Sequence, residues 1–583
     1  MIIKRVRSGD VVVLATAAFL IILGVFLPSK EVLKSLTGIS SENYQGLNAG
    51  IMLFRIGIVM DGLILIGMWR LQIQAIVNKP VDSMIFWRVQ EDVDNTMGIR
   101  SWLVLGGLFA IASALRVKGL DSGLWYDEVV TLVEFVRLPL GQLLTNYDAG
   151  QNNHPLFSLL AHLSLQVFGE SAWALRLPAF LFGLASLWAL YCLARTINSR
   201  RETLLAVALM AVSYHHVWFS QNARGYTGLL FWMLLGTWLF LKGLQKTSPV
   251  VWFSYAVAMA LGMYTHLTAG FILAGHMMIF SFLFLRFLRK KYTFQYSSPM
   301  DWWPVISFFL VGLFTFQIYA LVLPQVVNSF QVRIVAPRVE VWTNPIWAIV
   351  QVLHGLQVGF STVLGGFVAL LIFGVGLVSY ARSNRIVVAL FVLPVVSGVI
   401  TLLLLHRHFY PRFFFPMIGI GILVLMRGTT VTARFFVASL SRDSSRKNLA
   451  EMLGTVLACI IIIVTLFSLS NNYHHPKQDF WGALTYIKEH QKDSDLVITV
   501  GLASYPYERY YGTQWKTIET LEELNEIRFR NSPIWLLYTF PDHLESFYPE
   551  IMDSIRQEFI VVKEFPGTVG GGTIYVCRNR PLS

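Results

Sequence analysis

Apolar runs, separated by short polar stretches, recur along most of the chain. About 20 apolar residues are needed for a helix to cross the hydrocarbon layer. The runs near 11–28, 50–69, 101–119, 172–194, 203–219, 227–244, 250–265, 267–287, 304–323, 362–380, 386–405, 413–427 and 449–469 predict about thirteen transmembrane helices. The stretch 153–168 is apolar but short for a crossing, and counting it would reverse the sidedness of everything that follows. It is predicted to lie on, or dip into, one face of the membrane. The second span contains Arg55 and Asp61, which either pair or snorkel. Beyond about 472 the pattern changes to short alternating elements: helix 477–490, strand 496–500, helix 521–528, strand 534–538, helix 543–556, and strands 559–563 and 573–577. That alternation predicts a small α/β domain. The expected organisation is a two-span extension over 1–95, a main transmembrane domain over 96–471 with a long loop at 120–171, and an α/β domain over 472–583.

Composition supports this reading. Of 583 residues, 55% are hydrophobic and 14% charged, whereas charged residues make up about 25% of soluble domains. The net charge of +12 does not indicate nucleic acid, because the basic residues sit in clusters between apolar runs. Those at 4–7, 70–79, 195–201, 242–246, 286–291, 382–385 and 434–447 all fall on one side of the predicted spans. By the positive-inside rule that side is cytoplasmic, so the amino terminus is expected inside and the carboxyl-terminal domain outside. The first apolar run shows no small-residue cleavage site before Lys30, so it reads as an uncleaved span. Cys192 and Cys459 lie in apolar runs and leave Cys577 alone in the tail, so no disulfide framework is available.

With this topology the unusual polar residues collect on the outer face, while the cytoplasmic loops carry no glycine-rich phosphate loop. Gly567 to Gly572 lies between two predicted strands and reads as a hairpin turn. Carboxylates are costly in hydrocarbon, so Asp127 and Glu128, beside Trp125 and Tyr126 at a helix exit, mark chemistry at the bilayer surface. Asp127 is the candidate general base and also a good helix N-cap, and the two roles are compatible. Glu128 points elsewhere on a helix and is assigned to acceptor or metal contact. Asp148 is equally a second carboxylate or an Asx-turn residue. Arg224 and Arg412 stand on the outer face against the positive-inside bias, and their planar forks of donors suit a phosphate. Arg333 and Arg338 lie in a loop that either closes over a ligand or is simply solvated. His154, followed by Pro155, fits a helix start as well as a binding site. His215-His216 and His406-x-His408 lack a clear third ligand, so a structural or donor-binding role is favoured over a metal; a divalent cation stays open as a cofactor.

These motifs, in this order and on one side of the membrane, resemble those of the GT-C glycosyltransferases that use polyprenyl-phosphate sugars. Trp125-Tyr126-Asp127-Glu128 is similar to the family's aspartate-glutamate motif, whose Asp is the catalytic carboxylate in protein O-mannosyltransferases and aminoarabinose transferases. Asn153-His154-Pro155-Leu156 resembles His-Pro-Pro-Leu with the second proline lost. Glu170 to Pro178, Ser220 to Tyr226 and Tyr264-Thr265-His266 resemble further outer-face elements, as does Tyr410-Pro411-Arg412-Phe413, where Phe413 replaces a tyrosine. The resemblance implies that His154, Arg224, Tyr226, His266 and Arg412, with Asp148, bind substrate. It also implies a polyprenyl-phosphate sugar donor and an extracytoplasmic lipid, glycan or protein acceptor, in a bilayer and without nucleic acid.

Two other classes compete. A transporter or flippase of lipid-linked sugars predicts paired charges near the bilayer midplane and a repeated half; Arg55 and Asp61 are the charges that lie well inside a span rather than near its ends, and no repeat is evident. A membrane-anchored binding module would need one helix rather than many.

Overall fold

The structure, a computed structural model, describes residues 8–37, 47–77, 98–147, 153–246, 248–292, 302–331, 344–440, 447–528 and 533–580. Each predicted apolar run falls on a helix, but the number able to span is smaller than expected. Among the described residues, nine helices are long and apolar enough to cross a membrane, or up to eleven if two bent pairs each count as one span. Arg200–Val212 with Tyr214–Ser220 bends by 57°, and Trp303–Tyr319 with Leu323–Ser329 by 95°. Pro249–Thr265 is apolar but shorter. The stretch near 153–168 is the helix Pro155–Phe168, again short, with proline at its first turn.

Burial separates the central helices from the peripheral ones. Tyr226–Gln245 has 72% of its apolar window buried and Pro411–Leu440 67%, against 28% for Val363–Ser383 and Arg385–Leu404. The helices best fixed by packing are thus those that begin beside Arg224 and with Arg412. Arg55 does not pair with Asp61 but reaches the end of the neighbouring helix. Its guanidinium donates to the Gly24 carbonyl at 2.9 Å and to the Ser29 hydroxyl at 3.1 Å, and also bonds the Val25 carbonyl. A cation there satisfies carbonyls that the Ser8–Phe26 helix leaves open at its end.

Past residue 474 the chain forms a small α/β unit. Its sheet comprises β1 (Leu496–Val500), β2 (Lys516–Ile518), β3 (Ile534–Thr539), β4 (Phe559–Phe565) and β5 (Ile574–Asn579), in the order β2-β1-β3-β5-β4. β1 pairs parallel with β2 and β3, and β5 pairs antiparallel with β3 and β4. Ile498, Leu536, Ile551, Ile555 and Phe559 pack one face; Phe480, Leu484, Tyr507 and Leu537 pack the other. Two expectations change here. The predicted helix from 477 starts at Phe480, because the Asp479 carboxylate accepts from the Gly482 amide at 2.8 Å and caps it. The helix expected at 543–556 is two helices, Pro541–Phe547 and Pro549–Glu558, since the residue before Pro549 is pushed out of the helical region.

Candidate active site

The helix Tyr126–Thr131 carries Asp127 and Glu128 in its first turn, and helical geometry turns adjacent side chains about 100° apart. Glu128 faces inward and is fully buried, as is its partner Arg176, which donates to it at 2.7 and 2.6 Å. The Ala223 amide donates to the same carboxylate at 2.6 Å. Arg176 also reaches the carbonyls of Leu120, Ser122 and Gly123. Burial would raise the Glu128 carboxyl pKa, but the Arg176 and Lys477 charges and the Arg176 and Ala223 hydrogen bonds more than offset it, leaving it below its ordinary value. Glu128 was expected at an acceptor or a metal. It instead ties the 120–128 loop to the Arg176 helix and to the corner that precedes Arg224.

Asp127 faces the other way, with its side chain 12% exposed. Arg412 donates to its carboxylate at 3.0 Å, and the Arg224 guanidinium lies 4.0 Å from the same oxygen. Arg224 also donates to the Thr131 hydroxyl at 2.9 Å, one turn along the Asp127 helix. The Arg412 guanidinium lies over the Tyr410 ring at 4.6 Å, and its buried Nε has no hydrogen-bond partner in the protein.

Three further expected residues close the site. The His154 ring stands 4.9 Å from those of both Tyr226 and His266, and Phe413 packs on His266 at 5.5 Å. Burial, and then the positive charge of Arg224, push the His154 pKa well below its ordinary value; burial and the same arginine bring His266 down to about 3. Both imidazoles are neutral at physiological pH. The buried Nδ1 of His154 has no hydrogen-bond partner in the protein and lies against Gly225, where a Cβ would stand 2.8 Å from it. Asp148, Arg333 and Arg338 lie outside the described residues.

Of the histidines in the two histidine pairs, His215, His216 and His408 have structural partners, His408 meeting the Tyr410 hydroxyl at 3.2 Å. His216 bonds Ser186 and the fully buried Arg116, and His215 meets the Gly355 carbonyl at 2.8 Å. Among the described residues no three His, Cys, Asp or Glu side chains converge. One carboxylate flanked by two guanidinium groups is also a poor donor set for a divalent cation, which takes several oxygen ligands.

Residues that the sequence reading missed come from the carboxyl-terminal unit. The Gln478 side-chain oxygen accepts from the Tyr126 amide at 2.9 Å, Lys477 donates to the Gln221 carbonyl at 2.5 Å, and Tyr505 bonds Glu134. Burial and Arg176 lower the Lys477 pKa to about 7. No local pattern marks these residues, whose partners lie hundreds of positions away.

A family model described as dolichyl-phosphate-mannose-protein mannosyltransferase matches residues 152–311. Among solved structures, ArnT from Cupriavidus metallidurans bound to undecaprenyl phosphate is 13% identical over 83% of this chain and 99% of that one, with a TM-score of 0.45. The archaeal oligosaccharyltransferase AglB from Archaeoglobus fulgidus, in complex with an inhibitory peptide and a dolichol-phosphate, is 10% identical over 79% and 71%, at 0.42. Arabinosyltransferase EmbB from Mycobacterium smegmatis is 12% identical over 72% and 45%, also at 0.42. No curated protein sequence matches significantly. The stretch similar to that family model holds His154, Arg176, Arg224, Tyr226 and His266.

Proposed function

We propose that the protein transfers a sugar from a polyprenyl phosphate to an acceptor hydroxyl on the outer side of the cell membrane, with inversion at the anomeric carbon. The observation that carries this reading is the Asp127 carboxylate held 3.0 Å from Arg412 and 4.0 Å from Arg224. In the reaction Asp127 takes the proton from the acceptor hydroxyl as its oxygen attacks the anomeric carbon. The bond from that carbon to the phosphate oxygen breaks, and the polyprenyl phosphate leaves with the electron pair, stabilised by the two guanidinium groups. Arg412 pairs with Asp127. A donor phosphate competes for the same guanidinium and releases the carboxylate to act as base. The neutral His154 and His266 offer hydrogen bonds to sugar hydroxyls without adding charge. The sidedness follows from the basic clusters, which put the amino terminus in the cytoplasm and the α/β unit outside; the acceptor is a lipid, a glycan or a protein.

The test is incubation of the full-length protein with a radiolabelled polyprenyl-phosphate sugar and an extract of envelope acceptors. Asp127→Asn should lose transfer by at least about 10²-fold, the scale of a lost general base, and still bind donor. Arg412→Ala and Arg224→Ala should each weaken polyprenyl-phosphate binding by about tenfold or more, the scale of a charge-assisted hydrogen bond. Full transfer by the Asn variant removes Asp127 as the base, and unchanged donor affinity in both Ala variants removes the phosphate assignment.

A further inference from the structure

The N-cap residue of the Tyr126–Thr131 helix is Trp125, which lacks a side-chain acceptor, and the local side chain at this end, Glu128, accepts from the Trp125 amide at 3.3 Å and not from that of Tyr126. The Tyr126 amide, one of the open donors of that first turn, bonds the side-chain oxygen of Gln478 instead, across 352 residues of sequence. Gln478 is 1% exposed. Its amide nitrogen donates to the Thr539 hydroxyl at 3.0 Å and to the Gly572 carbonyl at 3.2 Å, so both ends of the side chain are engaged.

The neighbouring contacts act on the same region. Lys477 holds the Gln221 carbonyl, at the start of the corner that leads to Arg224. The 476–478 strap that presents both side chains is fixed by the glycine-rich turn between β4 and β5. The Thr568 and Val569 amides donate to the Pro476 and Lys477 carbonyls at 3.0 and 3.1 Å. A Cβ at Gly567 would stand 2.2 Å from the Lys477 carbonyl oxygen, so only glycine permits this approach. At the far end of the catalytic segment, the Tyr505 hydroxyl bonds Glu134.

We infer that Gln478 is a positioning residue for Asp127: it caps the helix bearing the base and fixes that carboxylate against Arg412 and Arg224. The catalytic step of the proposed transfer then depends on a side chain of the carboxyl-terminal unit that touches no substrate. The inference rests on the transferase reading for its kinetic arm only; its structural arm stands alone.

The experiment compares Gln478→Leu, Gln478→Glu and Ile555→Ala in the full-length protein. Leu removes the acceptor. Glu keeps the acceptor at a helix start that favours negative charge, but loses the donors to Thr539 and Gly572. Ile555→Ala weakens the core of the same unit away from the contact. Amide hydrogen exchange over 126–131 should rise about tenfold in Gln478→Leu, as expected for a lost cap, and stay near wild type in the other two. In the transfer assay, kcat should fall by about the same factor in Gln478→Leu with the donor KM unchanged, and Gln478→Glu should restore it. Unaltered exchange over 126–131 in Gln478→Leu, or equal exchange increases in all three variants, overturns the inference. If the wild-type protein transfers no sugar, the function reading fails, and the exchange comparison still decides the positioning role.

Discussion

Asp127 and Glu128 are neighbours in sequence, yet one keeps a route to solvent and the other has none, because a helix turns successive side chains to different surroundings. The two histidines of the site show the same dependence on surroundings. His266 is brought to about 3 by burial and by Arg224 and Arg412, whereas an unfolded chain titrates it near its model value of 6.5. Between those values the unfolded chain binds a proton that the folded one refuses, so stability is lost as pH falls below 6.5. Thermal unfolding in detergent should therefore show a midpoint that drops between about pH 7.5 and pH 5, and His266→Gln, neutral throughout, should lessen that drop. Equal drops in both proteins would contradict the burial described. Most of the site was legible one residue at a time. Asp127, Arg224 and Arg412 stood out because charge at an outer membrane face opposes both desolvation cost and topological bias, and the structure brings the three together. Gln478 and Lys477 were not legible, since an amide or an amine after a span is unremarkable until its distant partner is known.

At the scale of the element, membrane helices gain little from the hydrophobic effect on meeting each other, so close backbone approach decides their packing. Gly376 and Gly428 mark such a crossing between Val363–Ser383 and Ile418–Leu440. A Cβ at Gly376 would stand 2.0 Å from the Val424 carbonyl oxygen, and one at Gly428 2.0 Å from that of Ile372. Gly428→Ala should therefore force the helices apart and cost about 1–3 kcal/mol, the range for overpacked cores. Gly312→Ala, where nothing lies within 4 Å, should be neutral or slightly stabilising. The measurement is the unfolding midpoint of each variant, and equal shifts would remove the packing argument. Apolar periodicity located the helices well but not their ability to span: it gave no sign of the 95° break after Tyr319, and the run near 250–265 proves short. In the α/β unit it missed β2, whose three residues are too few to show alternation.

For the whole molecule, sidedness is the property on which the proposed reaction depends. With the native cysteines replaced, Gln491→Cys in the α/β unit should react with an impermeant thiol reagent on intact cells. Ser383→Cys, at the end of a span beside Arg382 and Arg385, should react only after permeabilisation. The opposite pattern would put Asp127 on the cytoplasmic face and end the proposal. The bond between the Tyr126 amide and Gln478 also has a consequence in time. A nascent chain emerges from its amino end, and its earlier parts fold before its later parts exist. The segment bearing the carboxylate is made first, and the side chain that secures it follows 352 residues after Tyr126. On the proposed reading, a chain that has not yet set Gln478 against Tyr126 turns over about tenfold more slowly, so a later segment tunes a base made long before it.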